Sequence, residues 1–468
     1  MLNSFSRVEL NRFRKYLLSP YLNDQPDTLR LFDLLDELLR KEASIETLSK
    51  TETWKVLYPK RSYDDAHLRR LNSDLVQLAL RFKVAESRAL DPLSDFLTLQ
   101  KSLEEPSLQK HLNAVEKQLK RMFDEQEQRS AESYLAEFQM HNQMFNRASK
   151  VVSTAGYVDK LVPADFYLEC FYLTQKLKFY ISWLQFSGVR TTEKNVPLMP
   201  GFWSYLEEER FRDVPLIAVF KKVVVCFSNQ EKEALFQDFL HDLEKNARYL
   251  TDEYLRECYH MAQNYCALKI NQGRTEYYVV YFNLQKKLTQ LNLLLENGGL
   301  SEAVFKNMIT IGLRVGEFSW TEQFINDYYP FLPAGIRENA RTFNLANLYS
   351  HQKQHGKVIE LLSNVEYSDL VYALGAKLIL LRTYYELNER LALDSLMDSF
   401  RIYIRRNKQM SKSLKREYSN FLNFLSKLSS IRDSKAALVQ LVRKNILENQ
   451  HVISKKWLLE KTDELAKK

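Results

Sequence analysis

Glycine and proline are scarce in this chain, 11 of each in 468 residues, and no glycine precedes Gly156. Sandwiches, barrels and doubly wound sheets consume turn residues at regular intervals, so this scarcity points away from them and toward long helices with short connections. The missing glycines exclude whole chemistries as well. There is no G-x-G-x-x-G, no G-x-x-x-x-G-K-[ST] and no G-x-S-x-G, so neither a phosphate-cradling loop nor a nucleophile elbow has a place. The four cysteines, Cys170, Cys226, Cys258 and Cys266, form no C-x-x-C pair. Cys258 and Cys266 would stand about 12 Å apart along a helix, too far for a disulfide, and reduced, buried thiols in a cytoplasmic protein are the expectation. Long apolar runs are also lacking. Val214 to Phe227 is the most apolar stretch, and Lys221 and Lys222 split it, so it falls short of the roughly 20 residues of a membrane-spanning helix. The start, Met1 to Arg7, lacks the apolar core of a secretory signal.

What the chain does hold is ordinary globular material: 45% apolar and 27% charged residues, close to the averages of about 45–50% and 25%. The charge is uneven. Residues 401–468 carry 17 Lys and Arg against 6 Asp and Glu, a balance of +11, which leaves −3 of the total +8 for residues 1–400. A segment of that kind suits an anionic partner such as nucleic acid, a membrane surface or an acidic protein face.

The prolines outline helical blocks, because proline disfavours helix interiors. Between them apolar residues recur at helical spacing, as at Leu29, Phe32, Leu35, Leu38 and Leu39, and at Leu112, Val115, Leu119 and Phe123. Four regions follow: a helical head over 1–92; a charged helical connector over 93–160, with helices expected at Gln109–Arg129 and Ser130–Lys150; a helical array over 161–400; and a basic helical cap over 401–468. Within the array, Tyr172, Phe179, Trp183 and Phe186 share one face of a helix, a pattern that reads as core.

From residue 260 the chain repeats. Gly273, Gly316, Lys353 and Asn388 each close the first helix of a helix pair, separated by 43, 37 and 35 residues. Apolar residues stand eight before each marker (Tyr265, Met308, Leu345, Leu380) and nine after it (Phe282, Ile325, Leu362, Met397). Gly and Asn suit the left-handed conformation that ends a helix, and Lys353 is the exception. In this register the chain resembles tetratricopeptide-like repeats, whose period is about 34 residues; a non-repetitive helical bundle is the alternative. Such a repeat has a small residue five after the marker, whereas this chain has Tyr278, Thr321, Val358 and Leu393, so wider or irregular helix separation is expected. The resemblance implies an α-solenoid whose first helices line a concave groove for an extended peptide or a helix. Side chains ten, six and two before each marker would line it, among them Gln263, Lys306, Arg314, Asn347 and Arg382. A clamp for a peptide's terminal carboxylate is matched only at Lys306 and Asn344, with Thr310, Gly375 and Ile379 at the other positions. Over residues 10–430 the chain also resembles a group of uncharacterised Bacteroidota proteins, through Leu18-Ser19-Pro20-Tyr21-Leu22-Asn23, Arg69 to Leu75, Leu293 to Gly298, and Ser399-Phe400-Arg401 through Arg405-Arg406-Asn407-Lys408. That likeness implies an all-α architecture and a bacterial source, and brings no activity.

Three further constellations bear on function. His351 and His355 have the i, i+4 spacing of helical zinc ligands, but Gln352 stands where a metalloprotease needs its glutamate and the pair reaches a turn, so no metal and no other cofactor is expected. Arg401, Arg405, Arg406, Lys408, Lys412, Lys415 and Arg416 straddle a loop at 407–411; they could bind a polyanion, or complement helix dipoles. On a head helix near Asp64–Phe82, Arg69, Arg70, Arg81 and Lys83 are diluted by Asp64, Asp65 and Asp74, a weak recognition helix. The expectation is a non-enzymatic, all-α scaffold that binds a protein or peptide partner in its groove. A nucleic-acid- or ribosome-associated adaptor is the alternative, and a carboxylate or histidine cluster converging in a deep pocket would instead favour an enzyme.

Overall fold

The computed structural model describes residues 1–41, 49–89, 91–148, 157–187, 196–363, 369–431 and 436–467. It is all-α: 79% helical, with 22 α-helices and no strand among the described residues. No described helix is long and apolar enough to cross a membrane. The chain divides into two compact units, Met1–Thr251 and Asp252–Lys468, a boundary inside the single array expected over 161–400.

The first unit opens with α1 (Arg7–Leu17), α2 (Pro26–Arg40), α3 (Lys50–Leu57) and α4 (Asp65–Ala89). Local chemistry starts these helices. Ser6 Oγ accepts from the Glu9 amide while Glu9 returns to the Ser6 amide, a reciprocal cap that satisfies two otherwise orphaned donors, and Pro26 occupies the first turn of α2, where its missing N–H costs nothing. Their apolar faces meet in a core of Phe5, Phe13, Phe32, Leu71 and Phe82, with Phe13 edge-on to Phe32 at 5.2 Å. Next come α5 (Pro92–Ser102), α6 (Gln109–Glu125) and α7 (Ala131–Ala148), which bury Val115, Leu119, Phe123, Met140 and Met144 together. Both connector helices thus lie within a few residues of the expected spans. The unit ends with α8 (Tyr157–Ser187), α9 (Phe202–Tyr205), α10 (Pro215–Ser228) and α11 (Glu233–Asn246), α8 packing along α7 and against α10.

Helix α8 departs from the sequence reading twice. Pro163 lies inside it, not at a boundary. The helix runs on because the turns beyond Pro163 bury Ala164, Cys170, Leu173, Leu177 and Ile181, and that burial outweighs one lost backbone bond. Those same residues show that the buried face is the aliphatic one. Tyr172 and Phe179, expected in the core, are 39% and 58% exposed, and the side chain of Phe186 lies outside the described residues. A run of aromatics at helical spacing marks an apolar face but not which of two apolar faces is covered.

The second unit is a succession of helices: α12 (Asp252–Asn271), α13 (Tyr277–Gln290), α14 (Glu302–Val315), α15 (Phe318–Tyr328), α16 (Arg337–His351), α17 (His355–Leu362), α18 (Leu370–Glu386), α19 (Arg390–Arg406), α20 (Lys412–Ser430), α21 (Ala436–Glu448) and α22 (Lys455–Ala466). Each packs on the next, and alternate helices also touch: α14 with α16, α16 with α18, and α20 with α22. The last five share one core built on Leu381, Phe400, Phe421, Leu425, Ile446 and Leu458.

Candidate functional site

The four marker residues share one backbone device. Gly273, Gly316, Lys353 and Asn388 all adopt the left-handed conformation, at φ 92, 86, 57 and 59, so Lys353 conforms in backbone although its side chain departs. After each marker the next amide donates to the carbonyl four residues before the marker: Arg274 to Lys269, Glu317 to Gly312, Gln354 to Tyr349 and Glu389 to Tyr384, at 2.9–3.0 Å. This six-to-one bond is the Schellman closure, which satisfies carbonyls that a helix end leaves without partners. Four helices, α12, α14, α16 and α18, therefore stop in the same way and hand the chain directly to a partner helix.

The expected groove residues do not form one surface. Gln263 is buried, in a helix that also buries Tyr254, Tyr259, Ala262, Tyr265 and Cys266, so it has no open face to line. Lys306 is half-exposed but already engaged: Nζ lies 2.5 Å from Glu302 and 4.6 Å above the Tyr372 ring, whose hydroxyl also donates to Glu302 at 2.7 Å. These contacts hold the Glu302 carboxyl below its ordinary pKa, chiefly through the Lys306 hydrogen bond. Asn347 is half-buried, and its carbonyl meets His351 Nδ1 at 2.9 Å. Arg314 is exposed and has no ion pair among the described residues. Asn344, one of the two residues that match the carboxylate clamp, is buried and donates to the Ala340 carbonyl at 2.7 Å. His351 and His355 fall on different helices, and no group of three or more His, Cys, Asp or Glu that could hold a metal is found among the described residues.

Arg382 leads to a site that local spacing did not foretell. Its guanidinium lies 5.3 Å over the ring of Trp457, and burial lowers its pKa. One turn further, Glu386 accepts from Trp457 Nε1 at 2.8 Å and from Lys461 Nζ at 3.2 Å, and His355 Nε2 lies 3.6 Å away. Glu386, Lys461 and His355 line a cavity of about 670 Å³ together with Lys353, Asn388, Arg390 and Glu464. Lys461 is shared between Glu386 and Glu464, at 3.2 and 3.0 Å. His355 Nδ1 is buried without a hydrogen-bond partner. Ser429 also lines the cavity, but its hydroxyl donates to the Ser426 carbonyl at 3.0 Å. The one sequence signal was Lys353, a lysine where the register wants glycine.

The basic residues gather at the α19–α20 turn. Arg405, Arg406, Lys408, Lys412 and Arg416 are exposed, Lys415 is half-exposed with Nζ on the Arg405 carbonyl at 3.3 Å, and Arg401 is paired with Asp398 at 2.9 Å. Apart from Arg401, none lies within ion-pair distance of a carboxylate among the described residues. Helix dipoles account for Arg405 and Arg406 at the C-terminal end of α19. They do not account for Lys412, Lys415 and Arg416, which sit at the positive end of α20.

The chain matches no protein-family model, no curated protein and no solved structure.

Proposed function

We propose that the second unit is a tetratricopeptide-like α-solenoid serving as a non-enzymatic, cytoplasmic scaffold for a protein partner. The observation that carries this reading is the identical closure of α12, α14, α16 and α18, since one backbone device repeated at the register spacing is what stacked helix pairs require. The neighbour order of the helices agrees with it, and the kinship with the Bacteroidota group belongs to the same proposal. Four buried thiols, none in a disulfide, accord with a reducing compartment. The cavity at Glu386 is the arrangement that would revive an enzyme, but its carboxylate is engaged by Trp457 and Lys461, and the Ser429 hydroxyl in its lining donates to the Ser426 carbonyl and not to His355, as a nucleophile would to its base.

The partner-binding face is narrower than the sequence implied. Arg314 and Thr310 on α14 are its open polar residues, beside exposed Asn264 and Asn271 on α12. Photo-crosslinking groups placed at Thr310 or Arg314 should give partner adducts in the native host, and groups at exposed Ser319 on α15 or Lys357 on α17 should give none. Arg314→Glu should abolish the adduct at Thr310. Equal labelling from all four positions would remove the groove assignment.

A second reading is favoured by the three unpaired cations at the α20 N-terminus: the α19–α20 turn binds phosphates of a nucleic acid. With roughly five phosphate contacts, log K should fall against log salt with a slope of about −3.5 for single strands or −4.5 for duplex. Lys412→Gln/Lys415→Gln/Arg416→Gln should reduce that slope by about 2 to 3, as each lost contact removes about 0.7–0.9. An unchanged slope would end this reading.

A further inference from the structure

The cavity walled by α17 to α20 and α22 has features that a protein-docking groove does not explain. Its carboxylates are spent. Glu386 is held by Trp457, Lys461 and His355, and Glu464 by Lys461. Its outer cations are not, since neither Lys353 nor Arg390 has a carboxylate within ion-pair distance among the described residues, and the nearest acceptor of Arg390 is the Asn388 side chain at 3.4 Å. Unspent positive charge at the mouth describes a receptor for negative charge.

The backbone adds an independent point. Lys353 and Asn388 both line the cavity from left-handed positions. Glycine takes that conformation freely, as Gly273 and Gly316 do in the equivalent places, whereas a lysine there is strained. The strained choice puts an ammonium group at the cavity.

We propose that this cavity binds a small organic anion through a phosphate-ester or carboxylate oxyanion. Lys353 supplies a mobile point charge and Arg390 a planar fork for paired oxygens. The volume, about 670 Å³, is that of an organic-ligand pocket, and a bare inorganic ion would fill little of it. Lys461 and the two carboxylates shape the wall and leave the excess charge at Lys353 and Arg390.

The experiment is isothermal titration of the full-length protein with glucose 6-phosphate, with citrate, and with glucose as the uncharged control. Saturable binding of glucose 6-phosphate alone identifies the phosphate source, and of citrate alone the carboxylate source. Lys353→Gly and Arg390→Gln should each weaken that binding at least tenfold. Lys353→Gly relaxes the backbone, so its ligand-free melting temperature should equal or exceed that of the wild type, and lost binding cannot then be lost folding. The proposal is overturned if neither anion saturates, if glucose binds equally well, or if both variants bind as the wild type does.

Discussion

Glu137→Ala should lower the unfolding free energy of the first unit by about 2–4 kcal/mol, because breaking a buried ion pair strands its partner. Glu137 is 2% exposed on α7 and accepts from Arg129; the Tyr167 hydroxyl is a second hydrogen-bond partner. Alanine would orphan both, beside a Tyr134 hydroxyl that is already buried and unpartnered. The range lies below the 3–5 kcal/mol typical of fully buried pairs, since the Arg129 side chain is 23% exposed and also donates to the Phe123 carbonyl. The pair itself is not a net source of stability. Burial raises the Glu137 pKa despite Arg129 and Tyr167, so the folded chain holds that proton more tightly than the unfolded one. The stability tied to this group is therefore present at low pH and is lost as pH rises through the raised value. Two results follow. The stability difference between wild type and Glu137→Gln should move in favour of glutamine as pH rises, and Arg129→Met/Glu137→Met should be at least as stable as either single variant. Urea unfolding of the full chain, with hydrogen exchange of the α7 and α8 amides to place the loss, measures both. A Glu137→Ala protein as stable as the wild type would mean that Arg129 reaches solvent freely.

What the sequence made legible was local. The markers at Gly273, Gly316 and Asn388 combine a residue type that favours positive φ with the spacing of the register, and at Lys353 the spacing alone located the same backbone turn. The spans of α6 and α7 followed from heptad-like apolar recurrence. What remained hidden was which surface each face meets. The lining of α18 by α22 joins Arg382 to a tryptophan 75 residues away, and no window of periodicity reports a neighbour at that distance. The same limit hid the exposed aromatics of α8: Tyr172 and Leu173 are adjacent and both apolar, and only packing against α7 and α10 decides that the leucine goes inside. The cavity belongs to this class too, since Lys353, Arg390 and Lys461 come from three separate turns or helices.

Helix separation in the α14–α15 pair supplies the second large effect, since in this pair the two helices approach closely without a small residue at the expected position. The position five after Gly316 holds Thr321, not a small residue, yet Thr321 is fully buried. The space comes from the other helix: Gly312 faces it, and a methyl group there would overlap Thr321 Oγ1 while lying 3.5 Å from Thr321 Cβ. That oxygen is fixed by a 2.7 Å hydrogen bond to the Glu317 carbonyl, so it cannot turn aside without breaking the bond or driving its methyl into the same gap. Gly312→Ala should therefore cost about 1–3 kcal/mol by overpacking, against about 0.5–1 kcal/mol regained from helix propensity. Thr321→Ala should cost about 1 kcal/mol for the lost hydroxyl and methyl contacts. Combined with it, Gly312→Ala meets only an ordinary van der Waals contact and should become neutral or stabilising, so the double variant should be more stable than the two single costs predict by about 1–3 kcal/mol. The cycle is read by urea unfolding of the four proteins. Strict additivity, or a Gly312→Ala chain more stable than the wild type, would show that α14 and α15 do not approach through this glycine.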